Sequence, residues 1–349
     1  MAHRLGLKHI ALGALFLLGI FSLFSVHPGK EDKIKEKLRK EKFRILGNYS
    51  FDPKSPVIRR VTLPPDFVLR YLKELDGKED YIPYRPQPTE LEAIDREISR
   101  LPGLHREILK KRAVGVYFVK NFTGNGFTEW VLDKDDNIYF FMVFNYSVLV
   151  QNMNQAVSER IASVFKKDSA WQVEVDISRK ESALFYLLLH EGTHGVDYVL
   201  RLQEYVDPQS FFFQKKMPMV LDYQKGIWKS YAHPQKDYDF ALRDKITFYG
   251  LSKGPLLEYK ETGRLYSGLE KSVFPTLYAS LSWAEDLAES LALYHITQKL
   301  NLPYNVTIRK NQKIIHHYSL EKHASSMARI RQMEFFYSAE KYSNFLPKE

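Results

Sequence analysis

The sequence predicts an α+β fold: a small mixed sheet, one buried helix against it, and a mostly helical C-terminal part. Three observations lead there. Short runs rich in Val, Tyr and Phe at 113–119 and 138–144, and a run at 172–177 that alternates polar and apolar residues, have the make-up of strands. Segments with helically spaced apolar residues at 89–100, 104–111 and 152–165 alternate with them. A further apolar run, opened by Ser178 and Glu181 in a capping-box pattern, carries His190, Glu191 and His194 inward on a helix.

Taken from the N-terminus, His3, Arg4 and Lys8 precede an uncharged apolar run from Ile10 to Val26, so residues 1–29 read as a signal peptide or an N-terminal membrane anchor. Positive charge ahead of that run places the remainder outside the cytoplasm: secreted, periplasmic or anchored to the membrane. Residues 30–87 read as a charged stalk and wrapping extension. The first part, 30–46, is helix-prone, with Ile34, Leu38 and Phe43 spaced along it. The second, 47–87, is punctuated by prolines and holds one helix at 65–75, whose Phe67, Leu69, Leu72 and Leu75 can cover a neighbour. Residues 88–349 form the main domain. Pro102 and Gly103 separate its first two helices, and a polar turn at 133–137 leads into the strand at 138–144.

At 349 residues and 44% hydrophobic composition the chain can bury a full core. It has no cysteine, which excludes thiol catalysis, disulfides and Cys-ligated zinc. The net charge of +9 does not point to nucleic acid. Lys and Arg are interleaved with Asp and Glu, as in 30–42, and no Arg-rich arm or aromatic RNA-binding signature accompanies them.

His190 and His194 are four apart, so both imidazoles leave one face of a helix and can share a Zn2+ ion. Glu191 stands beside them, where a carboxylate can take a proton from a metal-activated water. The bland alternative, two surface histidines, sits poorly on so apolar a helix. A third protein ligand is needed. A histidine six residues after His194 is excluded, because Asp197 stands at the intervening glycine position and Leu200 at the histidine position. A glutamate on a later helix fits better. Glu285 and Glu289 are one turn apart on a helix whose Leu287, Leu291 and Ile296 supply apolar packing. Glu285 is taken as the ligand and Glu289 as acceptor for a ligand-histidine N–H. Asp197 is placed with Glu289, outside the direct ligands. His233 and His295 stand next in line as third ligands.

His190-Glu-x-x-His194 with a distant glutamate resembles the gluzincin metallopeptidases. The fuller pattern, His190-Glu-Gly-Thr-His-Gly-Val-Asp197-Tyr198 followed by Tyr278-Ala-Ser-Leu-Ser-Trp-Ala-Glu285-Asp-Leu-Ala-Glu289, is similar to the catalytic domain of the anthrax lethal factor family. The resemblance runs through short motifs between Ser178 and Leu300. It implies a zincin-like fold, one Zn2+, a peptide or protein substrate, and a tyrosine seven residues before the ligand glutamate that assists the transition state, here Tyr278. The segment 200–275 departs from that family in length and in its aromatic-basic character (Phe211 to Phe213, Lys215, Lys216, Trp228), so the family's substrate is not carried over. The expected function is zinc-dependent hydrolysis of peptide bonds, with substrate extended along a sheet edge whose strand the sequence leaves open. A catalytically inactive zincin-fold binding protein of the cell envelope is the alternative, with a purely structural envelope protein behind it. Glu191 and Tyr278 argue against the first of these, since neither is needed merely to hold metal; metal analysis of the purified protein separates the second.

Overall fold

Two apolar runs, each too rich in Val and Phe to tolerate water on either side, form the middle of a five-stranded mixed sheet. In the computed structural model, which describes residues 28–202, 209–213, 221, 223 and 225–347, these are β3 (Ala113–Lys120) and β5 (Ile138–Asn145), buried almost throughout. Their burial on both faces explains the near-continuous apolar sequence. They pair in parallel, and β1 (Val61–Thr62) adds in parallel to β3. Antiparallel strands complete the sheet: β2 (Ile82–Tyr84) on β3, and β4 (Gly126–Leu132) on β5 at the far edge. The N-terminal apolar run from Ile10 to Val26, and Lys215 and Lys216, lie outside the described residues. Among the described residues no helix is long and apolar enough to cross a membrane.

The N-terminal part is built in more firmly than a stalk. Helix α1 (Pro28–Arg39) ends at Arg39, whose guanidinium forks onto Asp136 at 3.0 and 2.6 Å. Arg44 is 3% exposed, pairs with Glu129 of β4 at 2.8 Å and lies 3.6 Å from the Trp130 ring centroid. Residues 47–87 supply β1, β2 and α2 (Asp66–Asp76), which buries Val68 and Leu72 with Phe43, Tyr49 and Phe141 on one face of the sheet.

The other face carries the larger core. Helices α3 (Pro88–Ser99), α4 (Gly103–Arg112) and α5 (Met153–Ala162) surround α6 (Ala183–Leu200), of whose 18 residues 15 are buried. Asn152 and Gln155 form a reciprocal cap on α5. Ser178 does accept the Glu181 amide at 3.2 Å, but α6 starts later than that pattern predicts. Ser182 is its N-cap, accepting the Phe185 amide at 3.1 Å, because the Glu181 carboxylate turns away to Arg100 at 2.6 Å. Near its far end α6 lies hard against β5. A Cβ on Gly195 would stand 2.4 Å from the Phe140 ring, so the helix accepts glycine, at a propensity cost of about 1 kcal/mol, to reach the sheet.

The C-terminal part is less helical than expected. After β6 (Trp171–Asp176), the small hairpin β7 (Trp228–Ser230) and β8 (His233–Pro234), and helices α7 (Thr262–Leu269) and α8 (Trp283–Tyr294), the strands β9 (Asn305–Lys310) and β10 (Lys313–Ser319) pair and add to β6. Their turn is Asn311-Gln312, both at positive φ, a two-residue hairpin geometry without the usual glycine. Short helices α9 (Ala324–Ile330) and α10 (Ala339–Tyr342) close the chain.

Candidate metal centre

The centre forms along the seam between α6 and α8. Tyr186, His190 and His194 succeed one another at four-residue spacing on α6; Glu285 and Glu289 do so on α8. Tyr186 meets Glu289, His190 meets both glutamates, and His194 meets Glu285, so the two helices run antiparallel. Local sequence places Glu285 well. Ser282 caps α8 by accepting the Glu285 amide at 3.3 Å, and the helix N-terminus favours an anion in its first turn.

Three ligand atoms converge here. His190 Nε2 is 2.9 Å from Glu285 Oε2, His194 Nε2 is 3.6 Å from the same oxygen, and the two nitrogens are 3.3 Å apart. Ligands about 2.05 Å from a tetrahedral ion stand about 3.3 Å from one another, so the triangle has the size a single metal ion requires. Glu285 Oε2 is buried and makes no straight hydrogen bond, although both imidazole Nε2 atoms stand within 4 Å of it. His190, His194 and Glu285 are therefore a group that can hold a metal ion.

Electrostatics agree with the geometry. Burial works against charge on His190, but Glu285 and Glu289 outweigh it and push its pKa up to about 10. Burial likewise opposes charge on Glu285, yet His194 and His190 hold its carboxyl well below the usual range. The site calls for positive charge, which a proton or a metal cation can supply.

Glu289 is fully buried and behind the ligands. Its oxygens accept from both terminal nitrogens of Arg160 (2.9 and 3.0 Å), from Tyr186 (2.6 Å) and from Thr276 (2.9 Å). His190 Nδ1 lies 3.1 Å from Glu289 Oε1, a close contact rather than a straight hydrogen bond. On the other side, Glu191 Oε2 accepts from Thr128 of β4 at 2.7 Å. Burial raises the Glu191 pKa, offset in part by His190, His194 and Thr128. Its place depends on Gly126, where a Cβ would stand 2.6 Å from Oε1.

The Tyr278 ring centroid is 5.6 Å from that of His190 and 4.8 Å from that of Phe248. Burial, followed by Glu285, raises its pKa well above the ordinary value, so the hydroxyl keeps its proton and can donate. The contacts described for Asp197 lie at the end of α6, where its Oδ1 accepts the Leu202 amide at 2.9 Å, rather than at a ligand histidine. His295 faces Tyr337 at 2.6 Å and His233 faces Ser230 at 3.0 Å.

Thr128 and Gly126 escape the sequence reading because β4 is not anticipated, although Phe127 to Leu132 ahead of the polar turn carries a strand composition. Arg160, Tyr186 and Thr276 escape it because a lone arginine or tyrosine on an apolar helix has no motif. No protein-family model, no curated protein and no solved structure matches this chain.

Proposed function

We propose that the chain is an extracytoplasmic zinc-dependent peptidase of zincin-like fold. The observation that carries the reading is the convergence of His190 Nε2, His194 Nε2 and Glu285 Oε2 on one point, with the Glu191 carboxylate on the next residue of the same helix. A site of two imidazoles and one carboxylate suits zinc and leaves a fourth position for water or substrate. Bound there, zinc supplies a Lewis acid that polarises a carbonyl and makes water a nucleophile near neutral pH.

The protein's own groups do the rest. Glu191, held by Thr128 and raised in pKa by burial, takes the proton from the attacking water and hands it to the departing nitrogen. Tyr278, still protonated, donates to the oxygen on which negative charge develops. The edge strand β4 offers main-chain groups to an extended peptide beside Glu191. Glu289 keeps the His190 ring oriented from behind.

The test separates binding from chemistry. Purified full-length protein should carry about one zinc per chain, lost in His190→Ala, His194→Ala and Glu285→Ala. Glu191→Gln should keep the zinc and lose hydrolysis of a quenched peptide library, because the amide has the shape of the acid but cannot accept a proton. Wild-type turnover by Glu191→Gln refutes the assignment of the base.

A further inference from the structure

Arg160 belongs to α5, a helix that supplies none of the ligands, and its residue is 3% exposed. Its Nη1 and Nη2 fork onto the two oxygens of Glu289, and Nη2 also donates to the Tyr186 hydroxyl at 2.8 Å. The same guanidinium carbon lies 4.6 Å from the centroid of the Tyr278 ring and 5.2 Å from that of Tyr186. One buried cation therefore touches both the carboxylate behind His190 and the face of the tyrosine beside it.

That double contact has mechanical consequences. A carboxylate has about four lone-pair sites. Two Arg160 N–H groups, Tyr186 and Thr276 fill those of Glu289, so its carboxylate is fixed in place, with Oε1 pressed 3.1 Å from His190 Nδ1 as a charge against the ring edge rather than as a further hydrogen-bond acceptor. Only a planar fork meets both oxygens and lies over a ring at once; an ammonium can do one or the other. We propose that Arg160 is a positioning residue for the metal centre, fixing the His190 ring through Glu289 and the Tyr278 ring through its own cationic face. The assignment rests on the reading of His190, His194 and Glu285 as metal ligands. A merely structural ion pair would cost stability when broken but leave the coordination geometry of the folded protein unchanged.

The experiment uses full-length wild type, Arg160→Met, Arg160→Lys, Glu289→Gln and the double variant Arg160→Met/Glu289→Gln. Zinc affinity is read by chelator competition, and ligand geometry by the visible absorption of the cobalt(II)-loaded protein. Peptide turnover supplies kcat and KM. Arg160→Met should weaken zinc binding by roughly 10–100-fold, the range for partners of metal ligands. It should also shift the cobalt bands and lower kcat with KM nearly unchanged. Arg160→Lys, with the charge but not the fork, should recover only part of each. The double variant should lose no more zinc affinity than Glu289→Gln, since Arg160 reaches His190 through Glu289. Should Arg160→Met not fold, Arg160→Lys and the double variant, which removes both partners of the buried pair, decide the matter. Wild-type zinc affinity and cobalt absorption in a folded Arg160 variant overturn the assignment, as does full additivity in the double. Wild type that binds no zinc overturns the metal reading and this assignment together. Wild type that binds zinc but cleaves no peptide overturns only the peptidase reading, and the zinc and cobalt measurements still decide Arg160.

Discussion

Gly126 shows how much of the centre depends on a single missing carbon. A Cβ there would sit 2.6 Å from Glu191 Oε1 and 2.8 Å from its Cγ, with Thr128 two residues on holding the same carboxylate. Gly126→Ala should therefore displace Glu191, the proposed base, without touching His190, His194 or Glu285. Zinc content should stay at the wild-type level while kcat falls by roughly 10²-fold, the size of effect expected for a misplacement near 1 Å. Unchanged turnover in that variant would mean that Glu191 has room the geometry denies it. Tyr278→Phe is the companion case. On the proposed mechanism it removes one donor to the developing oxyanion, so zinc binding should persist while kcat drops by roughly 10²-fold or more. Glu289→Ala, by contrast, should lower zinc affinity by roughly 10–100-fold.

Between elements, the contact of α4 with α6 carries a pH dependence. His105 is fully buried, its Nε2 lies 3.1 Å from Thr193 on the metal helix, and burial pushes its pKa down to about 3. The neutral ring is the folded form. Its contribution to stability is complete above the unfolded value near 6.5 and is lost as pH falls from there toward 3, at about 1.4 kcal/mol per pH unit. Denaturant melts between pH 7 and 4 should show this slope, and His105→Gln should flatten it. The same contact marks how far the sequence could be read. The convergence of His190, His194 and Glu285 is legible because a shared ligand set asks for a four-residue spacing and a carboxylate on an apolar helix. The helices at 65–75, 89–100 and 104–111 are legible from apolar periodicity, β3 and β5 from their β-branched and aromatic make-up, and β6 from its polar/apolar alternation. What was not legible depends on partners distant in sequence. Glu181 looked like a helix cap until Arg100 claimed it; β9 and β10 turn on Asn311-Gln312 without a glycine to announce them. Arg160 has its meaning only once α5, α6 and α8 are side by side.

At the scale of the whole molecule, the N-terminal arm and the metal seam hold opposite sides of the same sheet. Arg44 brings the arm onto β4, where Glu129 accepts from it and from Tyr71 at 2.6 Å. Arg44→Ala leaves that buried carboxylate without its cation, which should cost about 3–5 kcal/mol and lower the melting temperature, while the folded fraction still takes up zinc. The seam works over a longer reach. His190 and Glu285 lie about 95 positions apart, on helices that meet antiparallel. An ion shared between them is a clasp on that whole length of chain, and the unfolded chain has no equivalent hold on it. Stability is then tied to free metal by mass action, rising by about 2.7 kcal/mol when the metal is a hundredfold above its dissociation constant. A metal chelator should lower the melting temperature of wild type and leave Glu285→Ala unmoved. With a metal held there, the durability of the fold would become a measure of how much free metal its surroundings supply.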